Sequence, residues 1–439
     1  MSNIAKIIFF FIITRFLLIF CLIPIIHAAF IRFNMQIDES QSISEIWMEY
    51  LTPWDGKHFR EIYLNGYQFE RQHVFFPLNK IIIDFISDMT SGISKILIGL
   101  ILSNLFSLGS CILLYILSVQ CFGSTKFALY STLFFCLNLC TRFYISLYTE
   151  SLYTFLSLLG MTLIQSTIKR DPVNDVGFFQ ILGASIIFII NVACRSNSCL
   201  LSLIPGYYIL IKCYRSLNTS SGSLILWFSF GHFTLCCFLY CFYYLVNQYP
   251  YQLYCKDENP SEWCHQAFPN LYDHIQKVYW NTGFLRQLDR GLHSSYFATL
   301  PVNFFNIWLI CLVYNNLKAY INLSKSHNPS SSTYTAIKSF LDDEISFRRP
   351  NKVEFCQIFF LPIILHYILL IIFINLFANL EILMRVVSTH PVYHWGYVYL
   401  LAKKQKSAFE KVVGGLLVVH HAVFMVFEFT AFPLNVGTP

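Results

Sequence analysis

The densest grouping of residues able to do chemistry is Trp54-Asp55-Gly56-Lys57-His58-Phe59, which runs on through Gly66-Tyr67 to Phe75-Phe76-Pro77-Leu78. A carboxylate, an imidazole and an ammonium group fall within one helical turn, among aromatic rings. Residues three apart share a helix face, so Asp55 and His58 are predicted to point the same way. A carboxylate so placed can take the proton of an attacking hydroxyl, and Trp54 beside it suits a sugar ring. The competing reading is structural. Asp55 would cap a helix over Pro53–Asn65 by accepting from first-turn N–H groups, with Asn65-Gly66 as its stop. Lys57, Arg60, Arg71 and His73 add cations that could neutralise a phosphate.

Three polar islands interrupt apolar runs further along: Tyr148-Thr149-Glu150-Ser151, Arg195-Ser196-Asn197 and Ser388-Thr389-His390-Pro391. They are expected to converge on the first motif. Glu150 and Arg195 stand at the ends of apolar runs, where charge is expensive unless paired or functional. An ion pair of Glu150 with Arg195 or Arg142 is the structural alternative. His366, inside Leu361–Ile374, reads either as a core histidine or as the base of a lipid O-acyltransferase. His420-His421 reads as structural.

The elements that position these groups follow from composition. Of 439 residues, 56% are hydrophobic and only 12% charged, against about 25% in a soluble domain. The apolar runs approach the ~20 residues a bilayer helix needs. The fold class is therefore an all-α polytopic membrane protein, a single integral membrane domain over 1–439, with about eleven helices (nine to eleven). Residues 31–94 and 247–300 read as long luminal loops and 318–354 as a cytosolic one. The helix Ile4–Phe30 reads as a retained signal anchor with Arg15 turned toward the bundle interior. The segment Phe127–Tyr144 reads as one span, and His390–Leu401 as a short, tilted or re-entrant one. With a cytosolic N-terminus, Lys126, Lys169/Arg170, Lys212/Arg215, Arg348/Arg349/Lys352 and Lys403/Lys404/Lys406 all fall on the cytosolic side, as the positive-inside rule requires. The sequons at Asn218 and Asn322 then lie in the cytosol and are expected to be unused.

The net charge of +6 is spread thinly, without the dense basic patch that nucleic-acid binding needs. Most of the fifteen cysteines lie in apolar runs and act as small hydrophobes. Cys255 and Cys264 share a polar loop, where a disulfide is expected if it faces an oxidising lumen. Phe75 to Ile86 reads as an amphipathic segment in the membrane interface, and Phe76-Pro77 could line a groove for a lipid chain. The chain has no internal repeat, which argues against a transporter built on two-fold symmetry.

The motif Trp54-Asp55-Gly56-x-His58-Phe59, Gly66-Tyr67 and Phe75-Phe76-Pro77-Leu78 resembles the first-loop signature of the PIG-V mannosyltransferase family. The likeness continues at Tyr148-Thr149-Glu150-Ser151-Leu152, at Ala193-Cys194-Arg195-Ser196-Asn197, and at Ser388-Thr389-x-Pro391-Val392-x-x-Trp395. Cys194 intervenes in the family's Ala-Arg-Ser-Asn-Gly element and Ser198 replaces its glycine.

The resemblance implies a GT-C type transmembrane bundle in the endoplasmic reticulum membrane, with a luminal site. It would transfer mannose from dolichyl-phosphate-mannose to the first mannose of a GPI precursor, a mannosyl-glucosaminyl-phosphatidylinositol lipid, in α-1,6 linkage. By the same resemblance Asp55 matches the base, with Trp54, His58, Phe76, Pro77, Glu150, Arg195 and Asn197 lining the site. No cofactor and no metal are expected beyond the donor itself. The alternatives are a related mannosyltransferase with another acceptor, and the acyltransferase built on His366.

Overall fold

The computed structural model describes residues 2–22, 51–52, 54–90, 92–166, 177–217, 221–256, 260–286, 294–327, 360–378 and 380–430, and all regular structure among them is helical. Pro53, Lys169, Arg170, the sequon at Asn218, and the charged residues Arg348, Arg349 and Lys352 lie outside the described residues. Among those described, Lys95–Phe122, Ser221–Tyr254 and Thr299–Lys318 are each long and apolar enough to cross a membrane. Phe178–Val192 and Leu361–Phe377 are shorter apolar helices. Their outward side chains, such as Leu105, Phe228, Phe233 and Ile372, are apolar and exposed. This is the signature of a polytopic membrane protein, whose solvent is hydrocarbon.

Lys95–Phe122 packs against Thr125–Cys136 and Glu150–Gln165, and Glu150–Gln165 against Phe178–Val192. The last pair closes on Gly160, where an added Cβ would meet the Phe188 ring at 2.3 Å. Small residues at such crossings let helices approach without a hydrophobic drive between them. Arg15, on the helix Asn3–Phe16, turns inward as expected. It is buried, donates to Ser107 Oγ at 2.8 Å and lies 4.7 Å from the Phe11 ring centroid.

One span is broken where the sequence suggests continuity, and a short span proves to be half of a pair. Phe127–Tyr144 divides into Thr125–Cys136 and Thr141–Ile145, and the short span at His390–Leu401 is the second half of a pair, Leu380–Val387 and Pro391–Ala402. Pro391 has no N–H to give and ends the preceding helix. The Ser388 and Thr389 hydroxyls fold back onto the carbonyls of Arg385 and Val386, at 2.8 and 2.7 Å. The two breaks then satisfy each other. Ser388 O accepts from Asn138 Nδ2 and from His394 Nε2, both at 2.9 Å. His390 Nδ1 takes the Val392 N–H at 3.3 Å, and its Nε2 lies 3.0 Å from His366 Nδ1. Irregular backbone deep in a membrane protein needs such internal partners.

The first loop contains the helix Gly56–Asn65, ended at Gly66 with φ 78° as the Asn65-Gly66 stop predicts, and the helix Leu78–Met89. The latter exposes Ile81, Phe85 and Met89 at a spacing of four while burying Ile83, the pattern of an interfacial helix. Tyr63 OH donates to Leu147 O at 2.9 Å and Leu78 N to Ala193 O at 2.9 Å, tying this loop to the bundle. The second long loop is closed by a Cys255–Cys264 disulfide around a small core of Trp263, Leu271 and Ile275. It docks on the first loop through Glu70, which accepts from Ser261 Oγ and, at 3.3 Å, from Trp263 Nε1. His73 Nε2 and Tyr254 OH meet at 2.9 Å in the same interface. Burial depresses the His73 imidazole to about 4, so it sits there neutral.

Candidate active site

Asp55 precedes the first turn of Gly56–Asn65, the position of a cap, but its side chain makes no capping hydrogen bond. Its own backbone is already helical (φ −59°, ψ −18°), whereas a capping side chain belongs to a residue in the extended region. The carboxylate goes instead to Arg385, whose Nη1 donates to Asp55 Oδ2 at 3.0 Å. Its side chain is 32% exposed, so it is paired and still accessible.

Arg385 is the centre of the arrangement. Its Nε and Nη2 reach Glu150 Oε1 at 2.7 and 2.6 Å, and Arg195 Nη1 reaches the same oxygen at 2.6 Å. Phe143 and Tyr148 hold the Arg385 guanidinium between them, with centroids at 4.6 and 4.9 Å. Glu150 is completely buried. Two carboxylates and two guanidiniums thus form one chain, Asp55–Arg385–Glu150–Arg195, drawn from the first loop and from three helix ends. A buried carboxylate without such partners would cost several kcal/mol. The Glu150–Arg195 pairing foreseen as structural is present, and its second arginine makes it part of the site.

A cavity of about 180 Å³ opens against this chain. Asp55, Arg195 and Arg385 supply its charged lining, and Phe59, Phe75 and Phe76 aromatic lining. Asn197 joins that lining, its Nδ2 donating to Tyr153 OH at 3.2 Å. Phe373, Ile374, Ala378 and Ile382 supply apolar lining, and Tyr272, Gln276, Trp280 and Thr282 of the second long loop complete it.

Of the eight residues expected in the site, Asp55, Phe76, Arg195 and Asn197 line this cavity. The other four stand behind or beside it. Glu150 lies beneath the wall, because both arginines cover it. Trp54 takes a left-handed φ of 45°, which costs a non-glycine residue about 1–3 kcal/mol. Its ring turns away to stack on Phe143 at 6.0 Å and under Arg142 at 5.6 Å. His58 does not line the cavity that Asp55 lines; its imidazole stacks on Phe75 at 5.6 Å with Glu61 at 3.9 Å. Pro77 opens the helix Leu78–Met89 and sets its direction. The loop-one cations also fall elsewhere: Lys57 and Arg60 are exposed, Arg71 lies 5.5 Å from the Phe69 ring, and His73 is in the loop interface.

Arg385 is the residue that sequence reasoning missed. It lies in Leu380–Val387, an otherwise apolar helix but for Glu381, three residues before the polar island at Ser388. A lone arginine in an apolar run was the signal available, the same one that marks Arg15. The four loop-two residues were likewise unmarked, because a tyrosine, a glutamine, a tryptophan and a threonine in a polar loop have no distinguishing spacing.

The model of the family described as mannosyltransferase (PIG-V) matches residues 4–430. The chain is 27% identical over 359 residues to GPI mannosyltransferase 2 of Candida albicans, covering 80% of this chain and 78% of that one. It is 24% identical to GPI alpha-1,6-mannosyltransferase 2 of Cricetulus griseus, over 81% and 74% of the two chains. It is 23% identical to GPI mannosyltransferase 2 of Drosophila pseudoobscura pseudoobscura, over 84% and 82%. The chain belongs to the mannosyltransferase (PIG-V) family.

Proposed function

We propose that this glycosyltransferase moves mannose from dolichyl-phosphate-mannose to the first mannose of a GPI precursor, in α-1,6 linkage, on the luminal side of the endoplasmic reticulum membrane. The observation that carries the reading is an accessible carboxylate, Asp55, sharing a cavity with two guanidiniums, Arg195 and Arg385. The acceptor's primary hydroxyl gives its proton to Asp55 as its oxygen bonds to the anomeric carbon. The bond from that carbon to the donor's phosphate oxygen breaks, and its electron pair leaves with dolichyl phosphate. One in-line displacement inverts the β donor to an α product.

The charge count supports this assignment. The chain of two carboxylates and two guanidiniums is neutral as it stands. Proton transfer to Asp55 leaves it with one surplus positive charge, held largely on Arg385, at the moment the phosphate gains one negative charge. Preorganised cations aimed at developing charge often lower a barrier more than any other single device. Arg195, one of the groups expected in this role, is joined in it by Arg385 rather than by the loop-one cations, and the reaction as proposed needs no divalent metal for charge neutralisation.

The test is transfer of labelled mannose in membranes that contain this chain as their sole enzyme of this type. Dolichyl-phosphate-mannose and a synthetic one-mannose GPI acceptor should give a product released by an α-1,6-specific mannosidase. Product on a different lipid glycan, with none on this acceptor, would overturn the acceptor assignment.

A further inference from the structure

The second long loop contributes to the cavity a wall that the charge chemistry does not use. Tyr272 and Gln276 stand four apart on the helix Leu271–Val278 and so share its face. Both line the cavity, with Trp280 and Thr282 just beyond the helix. The wall is fixed rather than loosely apposed. Tyr272 OH and Ser196 Oγ meet at 2.7 Å. Thr282 Oγ1 donates to Gln276 Oε1 at 2.9 Å and Thr282 N to Gln276 O at 2.9 Å. The Trp280 ring stands edge-on to Phe75 at 6.3 Å. Asn281 holds a left-handed φ of 46° between these two anchors.

We infer that this wall is the acceptor-sugar subsite, with Trp280 as the platform for the accepting mannose and Gln276 as a hydrogen-bond partner for its hydroxyls. The inference rests on the proposed function. A different part of the lining, Phe373, Ile374, Ala378 and Ile382, comes from apolar segments, and Phe373 is about half exposed. That part suits a substrate whose reacting sugar is joined directly to a lipid phosphate, hence the donor. The acceptor's reacting mannose is separated from its lipid by further sugar rings, so it must be met by groups outside the bilayer. Loop two supplies them. An indole presents a flat apolar face with a polar edge, which matches the C–H face of a pyranose, and a planar amide can both donate and accept. Asp55 lines the same cavity as both groups.

The kinetic constants separate this from a structural role. With the full-length protein in membranes, Trp280→Ala and Gln276→Ala should each raise KM for the one-mannose GPI acceptor, by about tenfold for the tryptophan. KM for dolichyl-phosphate-mannose should stay within about twofold of wild type, and Trp280→Phe should restore most of the acceptor affinity, as a smaller ring still offers a face. Intact disulfide mobility on non-reducing gels checks that loop two is folded. A rise in donor KM with acceptor KM unchanged, or no change in either for folded variants, would overturn the subsite. Absence of transfer by the wild-type chain to this acceptor would instead overturn the proposed function, and the subsite with it.

Discussion

Two clusters of polar side chains involve the helix Leu380–Val387 and the turn that follows it, and they differ in charge and in access. In one, Arg385 joins Asp55, Glu150 and Arg195, and three of those four residues reach the cavity. In the other, His366, His390 and His394 are almost completely buried and stitched to one another and to the backbone. None of the three lines that cavity. Both clusters are conspicuous as ionisable groups in apolar sequence, and only one is built for a substrate. His390 and His394 do what a broken helix needs, bonding the Val392 N–H and the Ser388 carbonyl, and His366 braces His390. The acyltransferase reading of His366 therefore loses its geometric support, since the ring stacks on His390, which in turn packs against Tyr367. Intramembrane charge is a pointer to function; reachability decides it.

The comparison can be broken most severely at Arg385. Arg385→Ala is expected to lower transfer by about 10²–10³, the effect of removing one preorganised charge stabiliser. Arg385→Lys should recover little, because a single ammonium cannot bridge two carboxylates as a guanidinium fork does. Initial rates at saturating donor measure both. Glu150→Gln should come next. It leaves two partly buried guanidiniums short of a countercharge and should destabilise the protein, by less than the ~3–5 kcal/mol of a fully buried broken pair, seen as a lower thermal midpoint in detergent.

On the sealed side the same treatment should do less. His366→Phe removes one buried hydrogen bond and should cost about 1–3 kcal/mol of stability, while transfer per folded molecule stays near wild type. A loss of transfer comparable to that of Arg385→Ala would erase the distinction between the clusters. The smallest effect expected is on loop docking. His73 holds its proton only below about 4 when docked, and below about 6.5 when released. Between these values the released form binds more protons, so docking weakens as pH falls through that window and is at full strength above it. Limited proteolysis of the second loop should accelerate as pH falls from about 6.5 toward about 4, and His73→Gln should flatten the profile.

Much of this was readable in the sequence, because hydropathy and spacing report local facts. Apolar runs marked the spans, Asn65-Gly66 marked a helix end, and a pair of cysteines in one polar loop marked the disulfide. Of the polar islands expected to converge on the first motif, those at Glu150 and Arg195 meet Asp55 through Arg385, whereas Ser388–Pro391 stays outside the cavity and serves the helix break. What escaped depended on relations between distant segments. Arg385 pairs with Asp55 across 330 positions of chain, and no local pattern in Leu380–Val387 announces a partner. Trp54 looked like a sugar platform from its neighbours, but its backbone conformation turns it onto Phe143. The break at Ser388–His390 read as the start of a short span, because its carbonyl is satisfied by Asn138, which lies in another break.

The central claim is that Asp55 is the base, and Asp55→Asn at matched protein level tests it. Asparagine is as good a residue as aspartate at a helix N-terminus and can still accept from Arg385, so folding should hold. Mannose transfer to the one-mannose acceptor is expected to fall by about 10²–10⁴, the contribution of a positioned general base. Transfer within about threefold of wild type would contradict the assignment, since no positioned base is worth so little.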